Sequence, residues 1–464
     1  MNTPHNHAAY SLLLLLAVLF VTTVASGQTF SVLYDFGQNA DDPVNPSYSG
    51  ILAQGRDENL YGTVAFGGVF QAGAMIKVAP AGKLTIPYNF DGRVGVAPFG
   101  GLTLATDGNF YGTCGAGGKA FLGTIFKITP DGKPTLLYEF TGKDDGASPY
   151  APPIQAADGN LYGTTEIGGT GHAGTVYRIT PSGTFTTLYS FDNTHGAQPI
   201  GPLLQADDGN FYGTTVSGGP ANAGTVFKIT PTGKLTMLHE FDGTDGFDPS
   251  SLLVQGRDGS LYGTAYSGGA QGTGTIFKIN RQGKFSVLYN FNGSSDGGNP
   301  YAGLVSGSDG NFYGVNSYNG NPANQGTIFR ITPRGSFSVL HTFDGKTGAT
   351  PEATLFQHTN GALYGDATFG GAFNDGTFYG MAAGLRPFVR LVSKSGKAGK
   401  KIQILGQKFK GTTSVAFNGT SATYQVVSDT LLVATVPAGA TSGPVAVTTP
   451  TRVLISNEAF QVIP

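Results

Sequence analysis

One segment recurs seven times along this chain, and the recurrence limits the possible folds more than any other feature. Each copy carries a Leu/Phe-Tyr-Gly element. The tyrosines of this element are Tyr61, Tyr111, Tyr162, Tyr212, Tyr262, Tyr313 and Tyr364. They are separated by 50 or 51 residues throughout. So strict a period is typical of folds in which copies of one supersecondary unit stack or surround an axis.

Each copy is predicted to contain four short β-strands. In the third copy they fall at 151–156, 161–165, 174–180 and 184–191, joined by an Asp-Gly turn, a glycine-rich loop and a Pro-Ser-Gly turn. The last two strands alternate apolar and polar residues, which favours sheet over helix. Four strands per unit of this length predict a β-propeller blade. A β-solenoid is the alternative, although its rungs are normally shorter.

The seventh copy lacks a fourth strand, and a matching strand lies before the first copy. Fourth strands ending in phenylalanine follow copies one to six, at Phe90, Phe140, Phe191, Phe241, Phe291 and Phe343. Residues 30–36 (FSVLYDF) have the same pattern. Pairing this segment with copy seven would close the ring and remove exposed sheet edges. We therefore predict an all-β, seven-bladed propeller over residues 28–382, closed by its N-terminal strand.

The N-terminal 27 residues are predicted to be a secretory signal peptide. Residues 11–25 are almost all apolar and are followed by small residues that allow cleavage. The preceding segment has no Lys or Arg, so an uncleaved anchor is the alternative. No later apolar run is long enough to span a bilayer. Cys114 is the only cysteine, which excludes an internal disulfide and favours a bacterial secreted or cell-envelope protein.

Charge and repetition both change near residue 385. Residues 28–385 contain 18 Lys and Arg against 27 Asp and Glu, a net charge of -9, whereas residues 386–464 contain 9 against 2, a net charge of +7. We predict a linker at 383–387 and an immunoglobulin-like β-sandwich at 388–464, because its short strands have that spacing. Its lysines are scattered without an aromatic stacking motif, so we expect no nucleic-acid partner.

The recurring strings DGNFYGTT and GTVFKITP resemble the Gloeobacter/Verrucomicrobia tandem repeats of secreted bacterial proteins. The resemblance covers residues 30–381. The C-terminal region resembles an IPT/TIG domain, through its G-x-x-F turn at 406–409, V-x-F strand at 415–417, A-T-V-P segment at 434–437 and final F-x-V strand at 460–462. These resemblances imply secretion, with the C-terminal domain as a spacer or adhesion module. They imply no reaction.

The loop lengths predict which face of the propeller binds a ligand. The loops between the second and third strands and between blades are long, and alternating strand direction places both on one face, where variable loops carry function. The opposite face has tight turns. Its aspartates are expected to cap their own backbone rather than bind metal; they are Asp107, Asp158, Asp208, Asp258 and Asp309.

The blade-to-blade loops supply the candidate ligand-binding residues. Each brings polar residues to a proline just before the innermost strand, and the residue after that proline should lie at the mouth of the central channel. These residues are Ser47, Phe99, Tyr150, Ile200, Ser250, Tyr301 and Glu352. Aromatic rings there can stack on sugars while nearby acids accept hydroxyl hydrogen bonds. The predicted ligand-binding set is Phe99, Tyr150, Tyr301, Asp144, Asp145, Asp245, Asp296 and His195.

Two other interpretations of the same loops stay open. The rings at the channel mouth can simply fill the channel as core. Paired acids such as Asp144 and Asp145 can hold calcium through oxygen ligands, but no 12-residue calcium loop occurs. We therefore predict neither a metal nor a cofactor.

No catalytic constellation emerges from the sequence. His239 and His341 replace the tyrosine of the fourth strand, and no metal-spaced histidines or nucleophile motif occur. Glu352 and Asp248 are the candidates for a carboxylate pair in glycoside cleavage, although they come from loops two blades apart.

Three functions are compatible with this pattern. The first is a non-enzymatic secreted or cell-surface protein whose long-loop face binds a polysaccharide or a surface protein. The second is an extracellular glycosidase or polysaccharide lyase with acids at the channel mouth. The third is a structural component of the cell envelope.

Overall fold

The computed structural model describes residues 28–46, 51–320 and 324–463, and they form β-strands without a helix. The predicted signal peptide and Ser47 lie outside these residues. Within them, no helix is long and apolar enough to cross a membrane. The strands form seven four-stranded sheets followed by a separate all-β domain.

The seven sheets are the blades of a propeller, with strands a to d running from the central channel outward. Strand a is Ala53–Gln54, Thr103–Leu104, Ile154–Gln155, Leu204–Gln205, Val254–Gln255, Val305–Ser306 or Phe356–Gln357 in blades 1 to 7. Strand b is Leu60–Val64, Phe110–Cys114, Leu161–Thr165, Phe211–Thr215, Leu261–Ala265, Phe312–Asn316 or Leu363–Ala367. Strand c is Ala74–Val78, Thr124–Ile128, Thr175–Ile179, Thr225–Ile229, Thr275–Ile279, Thr327–Ile331 or Thr377–Ala382. Strand d is Leu84–Asn89, Pro134–Glu139, Phe185–Ser190, Leu235–Glu240, Phe285–Asn290 or Phe337–Thr342 in blades 1 to 6.

Strand d of blade 7 is Thr29–Asp35, which confirms the predicted closure. It pairs antiparallel with Thr377–Ala382, from Thr29 opposite Ala382 to Asp35 opposite Thr377. Phe36, at its end, is fully buried in a cluster that joins residues of blades 7 and 1. The chain therefore closes the ring by pairing its first described strand with the last strand of the propeller.

The Tyr-Gly element packs within its own blade and against the next one. In blade 4, a Cβ atom on Gly213 would lie 2.6 Å from the ring of Phe227 on strand c, so only glycine fits beneath that ring. Tyr212 donates a hydrogen bond to Asp208 in the preceding turn. In blade 3 the equivalent Tyr162 also stacks on Phe211 of the next blade at 4.2 Å. The most regular element of the sequence is thus a packing unit.

A second contact between consecutive blades lies beside the channel. The side-chain carbonyl of a glutamine on strand a accepts a hydrogen bond from a turn N–H of the preceding blade. The glutamine and turn pairs are Gln155 with Thr106, Gln205 with Ala157, Gln255 with Asp207, Gln357 with Ser308, and Gln54 with Thr359. The last pair joins blade 1 to blade 7, so the same contact also operates at the point of closure.

The C-terminal domain is an immunoglobulin-like sandwich, as predicted. One sheet has the order Arg390–Leu391, Lys401–Leu405, Leu431–Thr435, Tyr424–Val426. The other has the order Thr420–Ser421, Ser414–Phe417, Val445–Thr448, Val453–Ile455. A parallel pair, Ser395–Gly396 with Gln461–Val462, completes the domain. Buried residues of both sheets, including Ile404, Phe417 and Val447, form one core.

This domain packs on the tight-turn face of the propeller. Gln403 lies at the centre of one contact, because it accepts a hydrogen bond from Arg56 Nε at 3.0 Å and donates one to the Thr106 carbonyl at 2.7 Å. A second contact lies near blade 7, where the Phe388 N–H donates to the Thr359 carbonyl. The turns that the sequence placed opposite the binding face are therefore partly covered by the chain's own C-terminal domain.

If the N-terminal strand closes the ring, shortening a buried side chain at its end should destabilise the propeller as much as the same change in another blade. We expect Phe36→Ala to destabilise the propeller by about 3–5 kcal/mol, because it leaves a large cavity between blades 7 and 1. Phe241→Ala, at the equivalent buried position of blade 4, is the matched comparison. Thermal or denaturant midpoints of residues 28–464 provide the measurement. A midpoint unchanged in Phe36→Ala and lowered in Phe241→Ala would show that the first strand does not close the ring.

Candidate functional site

The residue before each blade-to-blade proline has a left-handed backbone, which fixes the path of the chain into the channel. These residues are Asn45, Ala97, Ser148, Gln198, Asp248, Asn299 and Thr350, with φ between 47° and 58°. The proline that follows packs on the glycine that precedes strand c of the preceding blade; a Cβ atom on Gly174, for example, would lie 2.6 Å from Pro199 Cδ. The next residue is therefore delivered to the same place in blades 2 to 7, where the structure describes it.

That place is the mouth of the channel on the long-loop face. A small cavity of about 80 Å³ is lined there by Tyr150, Ile200, Ser250, Tyr301 and Glu352. Each belongs to the ring that the sequence predicted from its position after a proline.

Aromatic side chains form two groups around this mouth. Phe99 stacks on Tyr150 with ring centroids 5.2 Å apart, and Phe66 meets Phe99 edge to face at 5.8 Å. On the other side Tyr301 meets Tyr266 edge to face at 6.0 Å. All five rings are at least partly exposed. Tyr266 was not among the predicted residues, because it lies in the loop after strand b.

Three carboxyl groups lie on the same face, each in a different environment. Glu352 accepts a hydrogen bond from Thr368 Oγ1 at 3.1 Å. Burial raises the pKa of Glu166, another residue that sequence reasoning missed. Burial also raises the pKa of Asp248 to about 6, and Asp248 Oδ1 is buried without a hydrogen-bond partner among the described residues. Glu166 and Tyr266 occupy the same repeat position, directly after strand b, so an aligned comparison of the copies would have found both.

The predicted loop acids Asp145, Asp245 and Asp296 lie elsewhere, which corrects their assignment to the channel mouth. Their carboxylates pair with the fourth-strand aromatic position: Tyr138 donates to Asp145 at 3.0 Å, and His239 Nε2 lies 2.7 Å from Asp245.

The third acid, Asp296, accepts a hydrogen bond from Tyr289 at 2.9 Å and another from the Asn292 N–H. Strand d is the outermost strand of each blade, so these acids hold the outer rim. They organise the loop and do not face the channel.

Asp144 and His195 are also loop residues of the outer rim. The Asp144 side chain is exposed, and its backbone carbonyl accepts a hydrogen bond from Thr187. His195 Nδ1 lies 3.0 Å from Asp192 Oδ2, three residues earlier in the same loop. Neither residue belongs to the cavity at the mouth.

The turn aspartates cap their own turns, as the sequence predicted. In blade 3, Asp158 accepts hydrogen bonds from the Asn160 N–H, from the Asn160 amide and from the Tyr162 hydroxyl. Burial, followed by the hydrogen bond and charge of Asp158, raises the pKa of Tyr162 to about 12. Across the described residues no three His, Cys, Asp or Glu side chains are grouped so that they could hold a metal ion.

A repeat-built β-propeller with an aromatic and acidic channel mouth, capped on its other face by an immunoglobulin-like domain, is the class of protein that this architecture defines. The chain belongs to the Gloeobacter/Verrucomicrobia repeat family, whose model matches residues 17–207 and 149–379. The model of the IPT/TIG domain matches residues 387–461. No curated protein matches the chain.

Several solved structures are similar to the chain at low identity. A fungal alcohol oxidase of the AA5 family in complex with copper is 15% identical, with 93% of this chain and 100% of that chain covered and a TM-score of 0.48. A putative gluconolactonase is 11% identical, with 78% and 94% covered and a TM-score of 0.41. A gluconolactonase from Xanthomonas campestris is 12% identical, with 76% and 89% covered and a TM-score of 0.40. Similarity at this level transfers no activity to this chain.

The buried carboxyl of Asp248 predicts an unusual pH dependence. Its pKa is raised from 3.8 to about 6 in the folded protein, so the folded state holds a proton that the unfolded chain releases. Stability should therefore fall as the pH rises from about 4 to about 6. We expect Asp248→Asn to raise the free energy of unfolding by roughly 1–3 kcal/mol above pH 6 and to have little effect at pH 4.

Asparagine fits this position, because Asn45 and Asn299 occupy it in two other loops with the same backbone conformation. Asp245→Asn is the matched control in the same loop. It removes a carboxylate that His239 and the Asp242 N–H contact, so it should lower stability at pH 7. Denaturant midpoints of both variants at pH 4 and pH 7 provide the measurement. A lower midpoint for Asp248→Asn at pH 7 would contradict the raised pKa of the buried Asp248 carboxyl.

Proposed function

We propose that this chain is a secreted or cell-surface bacterial protein that binds a carbohydrate at the mouth of its propeller channel, on the long-loop face. The observation that carries the proposal is the grouping of partly exposed aromatic rings and carboxyl groups at one mouth. Phe99 with Tyr150 on one side and Tyr301 with Tyr266 on the other flank the small cavity, and Glu352 lines it.

This combination suits a sugar because a pyranose ring has two kinds of surface. Its C–H face packs on an aromatic ring, and its hydroxyl groups donate to carboxylates. The chain contains no tryptophan but 21 tyrosines and 32 phenylalanines, so phenyl and phenol rings would form the stacking platforms. The neighbouring Glu352 offers the hydrogen-bond acceptor.

A protein partner is the second candidate, and a separate observation favours it. Phe66 and Phe70 of blade 1 and Phe369 and Phe373 of blade 7 are exposed on long loops. Exposed apolar groups of this kind are typical of protein-binding surfaces. The C-terminal domain lies on the opposite face and serves in either case as a spacer or dock, with no nucleic-acid partner.

The test is retention of polysaccharides by the protein spanning residues 28–464, first on a glycan array and then by titration with the best ligand. We expect Tyr150→Ala and Tyr301→Ala each to weaken binding by about tenfold, which corresponds to ~1.4 kcal/mol for a lost stacking contact. Ile200→Ala is the matched control, because Ile200 lines the same mouth without an aromatic ring. It should change the affinity much less.

Each alternative predicts a different result. Glycan binding that survives both tyrosine substitutions would exclude the mouth as the site. Release of cleaved product that stops in Glu352→Gln would instead establish an enzyme. Absence of glycan binding together with self-assembly of the protein would favour a structural role in the envelope.

A further inference from the structure

A second candidate site lies at the opposite end of the channel, where the C-terminal domain covers the propeller. The two domains line an open cavity of about 1020 Å³. This is the size of a pocket for a small organic ligand. Only Ile51 and Leu252 also line the small cavity at the long-loop mouth, and the ligand of the larger cavity does not depend on the function proposed above.

The propeller side of this cavity is largely apolar. Strand a of successive blades contributes aliphatic and aromatic side chains to its wall, among them Leu104, Leu204, Val254 and Phe356. The polar groups of the inner strands are partly used elsewhere, because the strand-a glutamines accept hydrogen bonds from neighbouring turns. An apolar ligand body would therefore be covered by these walls without leaving many polar groups unpaired.

The domain side of the cavity carries Arg390, Lys394 and Glu458, and Arg390 is the least satisfied of the three. One Arg390 Nη atom donates to the Gln357 carbonyl at 2.6 Å, and the guanidinium lies 4.4 Å from the centre of the Phe356 ring. Arg390 Nε, however, is buried and has no hydrogen-bond partner among the described residues. Burying a cationic donor without a partner costs free energy.

The charged residues that line the cavity balance in number, with Asp207, Asp208 and Glu458 against Arg257, Arg390 and Lys394. Lys394 pairs with Glu458 at 2.5 Å, and Asp207 pairs with Arg281. The charge of Glu458 also acts on Arg390, but no carboxylate of the described residues lies within salt-bridge distance of the Arg390 guanidinium. A ligand carboxylate at Arg390 would supply that close partner.

We infer that this cavity binds a small organic carboxylate with an apolar body. The carboxylate lies at Arg390, whose planar guanidinium offers the two-pronged hydrogen bonding that carboxylates accept. The apolar body extends along the aliphatic walls of strand a toward the channel axis.

The arrangement of the domains indicates where such a ligand enters. The interdomain hydrogen bonds described above reach the turns of blades 1, 2 and 7, whereas turns of blades 3 to 5, including Ala157, Asp208 and Gly256, line the cavity. Two apolar residues of the C-terminal domain that also line it are exposed, Ile455 at 53% and Ile463 at 39%. The ligand enters from the side of blades 3 to 5.

The test is calorimetric titration of residues 28–464 with sodium octanoate, octan-1-ol and octylamine. We expect octanoate to bind with a Kd of about 1 mM or tighter, as its size allows. Octan-1-ol and octylamine should bind at least tenfold more weakly, because the alcohol brings no negative charge to Arg390 and the ammonium group of octylamine cannot accept a hydrogen bond. The proposal is wrong if octanoate shows no saturable binding up to about 10 mM, or if all three compounds bind equally well.

Three variants locate the site. Arg390→Gln should weaken octanoate binding by at least tenfold, which is the expected effect of losing a charge-assisted pair. Lys401→Gln is the matched control, since it removes one positive charge from an exposed position of the same domain. Leu204→Trp keeps Arg390 and changes the shape of the apolar wall, so it should also weaken binding.

Melting temperatures show which variants remain folded. Arg390→Gln also loses the Gln357 contact between the domains, so Leu204→Trp and Arg390→Lys provide the result if that variant fails to fold. If either Arg390→Gln or Leu204→Trp is folded and still binds octanoate with unchanged affinity, the proposed site is wrong. Tyr150→Ala, at the far mouth, should bind octanoate as the unmodified protein does.

Discussion

The propeller depends on hydrogen bonds that join each blade to the next beside the channel. At five junctions a strand-a glutamine accepts the turn N–H of the preceding blade. The other two junctions have Leu104 and Ser306 where the glutamine would be. There, Arg56 and Arg257 of the preceding turn donate to a carbonyl of the following turn. The repeat therefore maintains a hydrogen bond between blades at all seven junctions, although the residue that makes the bond differs.

Much of this fold follows from the sequence because the copies can be compared with one another. The missing fourth strand of copy seven and the segment at 30–36 predicted the closure, which the pairing of Thr29–Asp35 with Thr377–Ala382 confirms. Comparing the copies does not explain why the residue after the tyrosine is glycine in all seven. The requirement depends on the ring of Phe227 lying over Gly213, a contact between two strands.

The candidate site was predicted in part for the same reason. Proline fixes the chain path into the channel, so five of the residues that follow it were placed at the mouth correctly: Tyr150, Ile200, Ser250, Tyr301 and Glu352. The acids of the same loops were misplaced, because closeness to the proline in sequence does not say which end of the loop a side chain contacts. The signal that was missed is the pairing of a strand-d tyrosine with an acid seven residues later, as in Tyr138 with Asp145 and Tyr289 with Asp296.

The division between constant and variable positions explains how a sevenfold repeat can recognise an asymmetric ligand. The residues that hold the ring together, such as the strand-b tyrosine, recur in every copy and present nearly the same surface seven times. The ring at the mouth breaks this symmetry, with aromatic residues at Tyr150 and Tyr301, an aliphatic residue at Ile200 and an acid at Glu352. A ligand on the channel axis would therefore meet a different chemical group in each direction, so one orientation is favoured over the other six. Because the glutamine bonds between blades lie at the tight turns on the opposite face, substitutions at the mouth can change specificity without disturbing them.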